Sequence, residues 1–383
     1  MTSTYDIIVI GGGFLGLSTA YHLAGMGARV CLLEAGDLGS GTSATCSGRA
    51  QVSEGHLDDL NILLIREGLA RFDGLQEELG MHFEWQRMPY LCLIRSQHLW
   101  DAWSERSAIL TPAGIAVDLI DAQALHREAP HLNMDGMLGA AVSLEGLLNP
   151  FRFCFAYAQA AARNGAVLLP RTPVTAMRVE NRAVTAVQAG GEWLSAGAVA
   201  VMCGAWTPQV TRMAGVDVPI HCTHAEAYIT EPLPGLFHHT YGLADFYETI
   251  HGKERAVAIG FSPEPNGTLI ITEAVTRCPG IHRGASYYGV TAISLELQRL
   301  FPVLAGARVM RSWGAPTAFT PDEEPIIGWL PTRNNLFAAA SLVETITTVP
   351  LLSEWMATML LGGEPPHSLA QFEPGRFFTV NSE

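Results

Sequence analysis

Residues 6–36 read DIIVIGGGFLGLSTAYHLAGMGARVCLLEAG, and no other stretch constrains the fold as strongly. Ile7 to Ile10 is a short apolar run that suits a buried strand. Phe14 to Met26 has the pattern of a helix, closed by Gly25 and Gly27, and Ala28 to Glu34 is a second strand. Between the first strand and the helix stands Gly11-x-Gly13-x-x-Gly16. Gly11 permits the tight turn, Gly13 lets backbone approach a diphosphate, and Gly16 lets helix and strand pack closely. The helix start offers free N–H groups and partial positive charge to phosphates. Glu34 follows about 20 residues on, where a carboxylate binds ribose hydroxyls and disfavours a 2′-phosphate. The pattern predicts a dinucleotide on a β-α-β unit. By itself it does not separate NAD from FAD.

Composition narrows the partners. The formal net charge is −14 and no dense Lys/Arg run offsets it, which argues against a nucleic-acid backbone. No apolar stretch approaches the roughly 20 residues of a membrane span, and residues 1–5 lack the basic start of a signal peptide. The seven cysteines are odd in number and include no CxxC pair, so no disulfide, zinc or iron–sulfur site is expected within the chain, no metal site is assigned, and the cytoplasm is the expected setting.

Along the chain, HLDDLNILLIREGLARFDGLQEELG has helical spacing, PYLCLIRS reads as strand, and NPFRFCFAYAQAAARNGAVLL reads as helix then strand. AVTAVQAGGEWLSAGAVAVMCGAW reads as a hairpin followed by a buried strand ending at Gly204. Residues from about Pro219 to Ala305 look strand-rich, and the βα style returns from Glu324 onward. This order predicts an α/β chain of two lobes: a nucleotide domain assembled from 1–85, 147–218 and 306–383, and an inserted substrate or partner domain from 86–146 and 219–305.

After Glu34 the chain continues GDLGSGTSATCSGRAQ, a donor-rich loop containing Gly39, Gly41, Thr42 and Ser43. The pieces GGGFLG, LLEAGDLGSGTS, TPVTAM, CGAW and SWGAPTAFTPDEEPIIG, with a C-terminal strand–loop–helix near Pro350, succeed one another in order over nearly the whole chain. Here it resembles the D-amino-acid oxidase/sarcosine oxidase-like FAD amine oxidoreductases. The resemblance implies a Rossmann-like FAD domain with an inserted antiparallel substrate sheet. Gly11, Gly13, Phe14, Leu15 and Gly16 would hold the diphosphate, and Glu34 and Ala35 the adenosine ribose. Gly41, Thr42 and Ser43 would contact phosphate or ribityl, and Val174 the adenine through its backbone. Gly204, Ala205 and Trp206 would pass close to the dinucleotide, and Ser47, Gly48, Arg49 and Ala50 would sit near the isoalloxazine. Gly314 and the loop Ser341 to Thr347, including Val343, Glu344, Thr345 and Ile346, would line the ring's other side, with amides aimed where reduced flavin carries negative charge.

Two departures from the family pattern stand out. Some members tether flavin through a cysteine where this chain has Ala315, so non-covalent FAD is expected. Many carry His-Gly where this chain has Glu344-Thr345. For the substrate, Arg49, and behind it Arg95 and Arg311, are the candidate cations for a carboxylate; Tyr228 and His251 come from the inserted lobe, and Glu344 suits a cationic substrate group such as the guanidinium of an arginine-derived opine. The closest likeness is to FAD-bearing β subunits of heteromeric opine, proline/hydroxyproline and sarcosine oxidoreductases and of hydrogen cyanide synthase. It implies partner chains carrying a second flavin nucleotide, FMN at an interface, or an iron–sulfur cluster, with membrane association only through those partners. Competing readings are a stand-alone glycine or D-amino-acid oxidase that releases peroxide, an electron-transfer or assembly flavoprotein subunit, and, more remotely, an NAD-linked dehydrogenase.

Overall fold

A computed structural model describes residues 4–378 apart from 234, 247, 248, 250–254, 278, 279 and 343. The strand Thr4–Ile10 (β1) lies inside the first sheet, parallel to Val30–Leu33 (β2) on one side and to Glu192–Val201 on the other. The helix Phe14–Gly25 (α1) joins β1 to β2 as the glycine pattern predicts. Across the sheet the order is Ile326–Trp329, Leu336–Ala340, Glu192–Val201, β1, β2 and Val167–Leu169. The runs IIVI, VCLL and AVAV show no polar alternation because both faces of this parallel sheet are covered. Ile7 and Val9 meet a layer made by α1 and the helices Pro150–Arg163 and Thr345–Leu360. Ile8 and Ile10 meet the hairpin Val174–Glu180/Ala183–Ala189 and residues from Val210 to Val218.

The second sheet has nine strands. It runs Val309–Phe319, His221–Thr230, Leu269–Arg277, Arg255–Pro263, Thr240–Leu243, Gln86–Ile94, Gly139–Leu147 and Arg49–Ala50, with Val117–Asp121 beside Gly139–Leu147. Its pairs are antiparallel except that Thr240–Leu243 runs parallel to Gln86–Ile94. Two of its strands, Arg49–Ala50 and Val309–Phe319, come from stretches that sequence patterning assigns to the nucleotide domain.

Three further differences have local causes. Glu192–Val201 is one continuous strand that serves first as a hairpin arm and then as the parallel neighbour of β1. The region expected to be strand-rich contains a helix, Tyr287–Leu300, whose N-terminus is capped by the Ser286 side chain accepting from the Gly289 N–H. Ile293, Leu297 and Leu300 recur on one face of it and pack on the second sheet. Pro350 lies within the helix Thr345–Leu360 rather than at its boundary.

That C-terminal helix is held against the helix Asp59–Ala70 at a close crossing, because a Cβ on Gly68 would overlap the carbonyl oxygen of Thr347. Gly68→Ala should therefore force the helices apart and cost about 1–3 kcal/mol. The midpoint of chemical denaturation measures this, and an unchanged midpoint would contradict the close crossing.

Candidate functional site

The glycine turn leaves no room for side chains. Gly11 has φ 115°, in the region that favours glycine, and a Cβ there would overlap the Met202 carbonyl. A Cβ on Gly16 would overlap the Gly11 carbonyl, so α1 starts hard against the end of β1. Gly13 is the N-cap of α1 and supplies no side-chain cap, and no acid stands in the first turn, so the helix start keeps N–H groups that an anion could use. Ser43 lies over this turn, its Oγ accepting from the Phe14 N–H at 3.1 Å. Glu34 accepts from the Gly12 N–H and the Gly36 N–H, each at 2.7 Å, which fixes its carboxylate at the end of β2. The Glu34 carbonyl accepts from the Thr172 N–H at 2.7 Å, bringing the approach to Val174 beside the same acid.

Segments distant in sequence converge on this turn. Thr42 Oγ1 donates to the Pro316 carbonyl at 2.7 Å, and Trp313 Nε1 donates to the Thr45 carbonyl at 2.8 Å. The strand Val309–Phe319 thus lies against Thr42–Thr45, and it also packs on Gly204–Trp206. The Trp206 ring borders Gly41, with Cζ3 3.7 Å from where a Cβ would stand. Gly48, at φ 76°, passes so close to the Leu148 carbonyl that a Cβ would overlap it. Beyond it, Arg49 and Ala50 pair with Leu147 and Gly146. From the other side, Thr347 Oγ1 donates to the Gln51 carbonyl at 2.6 Å and Thr345 Oγ1 donates to the Leu342 carbonyl at 2.7 Å, while Ile346 is buried. Thr347, at the start of the C-terminal helix, is therefore a neighbour of Gln51.

Several candidate residues stand differently from expectation. Arg49 is not a free cation: its guanidinium is held between the carboxylates of Glu54 and Glu145 and lies 3.7 Å from the centre of the Tyr90 ring. A substrate carboxylate would have to displace groups already in place. Arg95 is likewise committed, to Asp245 at 3.4 Å and Glu296 at 3.7 Å, whereas Arg311 is exposed on Val309–Phe319. Tyr228 is 2% exposed and turns toward the helix Tyr287–Leu300, its hydroxyl oxygen accepting from Ser294 Oγ at 3.3 Å. Its neighbour Ala227 pairs with Trp313, which reaches Thr45, so Tyr228 occupies the opposite face of the sheet from the glycine turn. Gly314 shares that far face: a Cβ there would overlap the His224 ring. His251 and Val343 lie outside the described residues.

Glu344 is the other departure. Its side chain is interior, with Oε2 2.8 Å from where a Cβ on Gly55 would stand and Oε1 without a hydrogen-bond partner among the described residues. Burial first, then Glu54 and Glu145, push its carboxyl up to about 8, against the opposing pull of Arg106 and Arg49. This environment favours the protonated form as long as no further cation stands beside it. Sequence patterning misses the group that surrounds it. Glu54 receives hydrogen bonds from the Tyr90 hydroxyl at 2.5 Å and from Gln51 Nε2 at 2.7 Å, and Arg106 Nη1 donates to the carbonyls of Ser53 and Gly55 at 3.0 and 2.6 Å. The available signal was Glu145, a lone acid at an inward position of the strand GAAVSLEGL.

This cluster has consequences for stability. A carboxyl raised from 4.5 to about 8 adds stability that is complete below its unfolded value and is lost as pH rises through 8. Glu344→Gln should flatten stability between those limits, by at most about 1.4 kcal/mol per pH unit, and should gain on the wild type in alkali; parallel denaturation curves across pH would refute this. Arg49→Ala strands two buried carboxylates and should cost about 3–5 kcal/mol, measured by the same unfolding curves, whatever its effect on turnover.

Comparison with known proteins gives the family. A family model described as FAD dependent oxidoreductase matches residues 6–359. The chain is 23% identical to sarcosine oxidase subunit beta of Rhodobacter capsulatus, over 97% of this chain and 90% of that one. It is 24% identical to the subunit of the same name from Rhizobium meliloti, over 97% and 88%. Among solved structures, L-proline dehydrogenase from P. horikoshii superposes with a TM-score of 0.88 at 23% identity, covering 98% of both chains. Glycine oxidase from Geobacillus kaustophilus does so at 0.87 and 23%, covering 97% and 98%. With a helix start free of acids, a side-chain-free turn and an acid at the end of β2 all suited to a dinucleotide, the chain belongs to the FAD dependent oxidoreductase family.

Proposed function

We propose that this chain oxidises the carbon–nitrogen bond of a secondary or N-methylated amino acid, as the FAD-bearing subunit of a heteromeric dehydrogenase. The observation that carries this reading is its near end-to-end match to the two sarcosine oxidase β subunits. By contrast it corresponds to only 37% of human mitochondrial sarcosine dehydrogenase. Other relatives are named for dimethylglycine and 4-methylaminobutanoate, which like sarcosine carry an N-methyl amine and a carboxylate. A partner subunit would accept the electrons, through a second flavin nucleotide such as FMN or an iron–sulfur cluster. Among the described residues no helix is long and apolar enough to cross a membrane, and no cluster of His, Cys, Asp and Glu is built to hold a metal.

The residues present fit FAD. Gly11, Gly13 and Gly16 with the start of α1 would seat the diphosphate, and Glu34 the adenosine ribose. Segments 47–51 and 341–347 would flank the ring without a covalent tether, since Ala315 offers no thiol. Bound there, FAD supplies a hydride acceptor. The chain's own contribution is orientation and dryness: Thr347 ties the C-terminal loop to Gln51, and Trp313 and Thr42 bring the second sheet across the turn. The substrate nitrogen must be neutral when the adjacent C–H bond breaks, because its lone pair forms the C=N bond that water then hydrolyses. Glu344, interior and disfavoured as an anion, gives no support of its own to an opine over a smaller N-substituted amino acid.

Anaerobic loss of the yellow flavin absorbance, monitored after adding each candidate, tests this. Sarcosine, dimethylglycine, 4-methylaminobutanoate or proline should bleach the protein, and glycine and D-alanine should not. Bleaching by the primary amino acids alone, or by none of the panel, would overturn the reading. Peroxide release in air by the isolated chain would count against a partner acceptor.

A further inference from the structure

Residues 1–48, which contain the glycine turn and the loop laid over it, hold no lysine and one arginine, Arg29. It is paired with Asp6 at 2.7 Å, toward the opposite end of β1 from the glycines. Nearby, Arg171 lies 3.7 Å from Asp37, and Glu34 adds a further negative charge at the end of β2. A diphosphate seated on this turn would meet amide dipoles but no cation from its own lobe. The second lobe brings one. Arg283 is exposed, and its guanidinium lies 5.1 Å from the centre of the Trp206 ring, the ring whose edge borders Gly41. Among the described residues no carboxylate pairs with it.

Arg283 is held in position by the residues immediately C-terminal to it. The Gly284 N–H donates to the Gly314 carbonyl at 3.4 Å, and His224 Nε2 contacts the Gly284 carbonyl at 3.0 Å. Two residues on, the Ser286 N–H and hydroxyl both donate to Glu226, at 2.5 and 2.8 Å. Gly314 lies on the strand that also passes Thr42, so the loop is anchored to the element already laid across the turn. Trp206 then serves as a platform: its face holds the guanidinium by a cation–π contact while its edge meets the phosphate loop. Arginine suits such a position because its planar fork stacks on an aromatic face and still donates to phosphate oxygens.

We infer that Arg283 is a further cofactor-binding residue, a cation carried by the inserted lobe over Trp206 and the Gly41–Ser43 turn to pair with the FAD diphosphate. Cofactor binding thereby ties the two lobes together through charge as well as packing. The inference rests on the family's cofactor and is independent of which amine is oxidised.

The test uses full-length protein stripped of flavin and titrated with FAD, ADP and adenosine, with binding read by quenching of flavin fluorescence and by competition. Arg283→Gln should weaken FAD and ADP about tenfold, the loss of one hydrogen-bonded charge. Adenosine binding and the thermal unfolding of the flavin-free protein should stay unchanged, Arg283→Lys should fall between, and raised salt should narrow the differences. Unaltered FAD and ADP affinity in Arg283→Gln would overturn the inference while leaving the cofactor assignment intact. So would an equal loss for adenosine, which would make the residue a packing element. A wild-type protein that takes up no FAD would overturn the cofactor and the inference together.

Discussion

Everything in the molecule answers to the burial of β1 on both faces. A strand reading IIVI must have a parallel neighbour on each side and a layer above and below, and β1 alone cannot recruit them locally. β2 arrives through α1, but Glu192–Val201 and Leu336–Ala340 come from far along the chain. The excursions between these returns build the second sheet. The end of β1, where Gly11 turns, is consequently the place where residues 34, 43 and 202 meet, and Thr42 carries the contact on to Pro316. A cofactor site assembled from dispersed segments is a consequence of that return path.

A second constraint acts beside the expected ring position. Arg49, Glu54, Glu145 and Tyr90 form a buried, hydrogen-bonded charge cluster, and the acid Glu344 is pressed in beside it from the start of the C-terminal helix. Three acids around Arg49, with Arg106 nearby, share a dry interior that disfavours full ionisation, and burial raises the carboxyls of both Glu344 and Glu145. The cluster joins Gln51–Gly55, the strand Gly139–Leu147 and the loop before the C-terminal helix. It thus fixes the spacing of the two segments between which the ring is expected. Arg49 reads here as an organiser of that wall rather than a hand for substrate.

The dinucleotide half of the site was legible in the sequence because its chemistry is local. Strand, glycine turn, helix and acid fall within 31 consecutive residues, from Asp6 to Gly36. The substrate half was not legible. Tyr228 looked available, but which face of a strand meets the turn depends on register with Val309–Phe319, and the register sends Trp313 inward and Tyr228 away. Likewise the helix Tyr287–Leu300 hid in a stretch rich in β-formers, where its capping serine and its contacts with the second sheet outweigh local propensity.

By itself, the sequence determined a strand, glycine turn and helix start suited to a dinucleotide, because backbone geometry and a helix start are properties of adjacent residues. It also carried the order of family motifs that names FAD. Only the tertiary structure decided which charges are spent and which are free. Arg49 meets Glu145, Glu344 is buried beside Gly55, and Arg283 meets Trp206, across separations that no spacing rule encodes. Whether a charge is available depends on its neighbours in space, and those neighbours are set by the folding of the sheets.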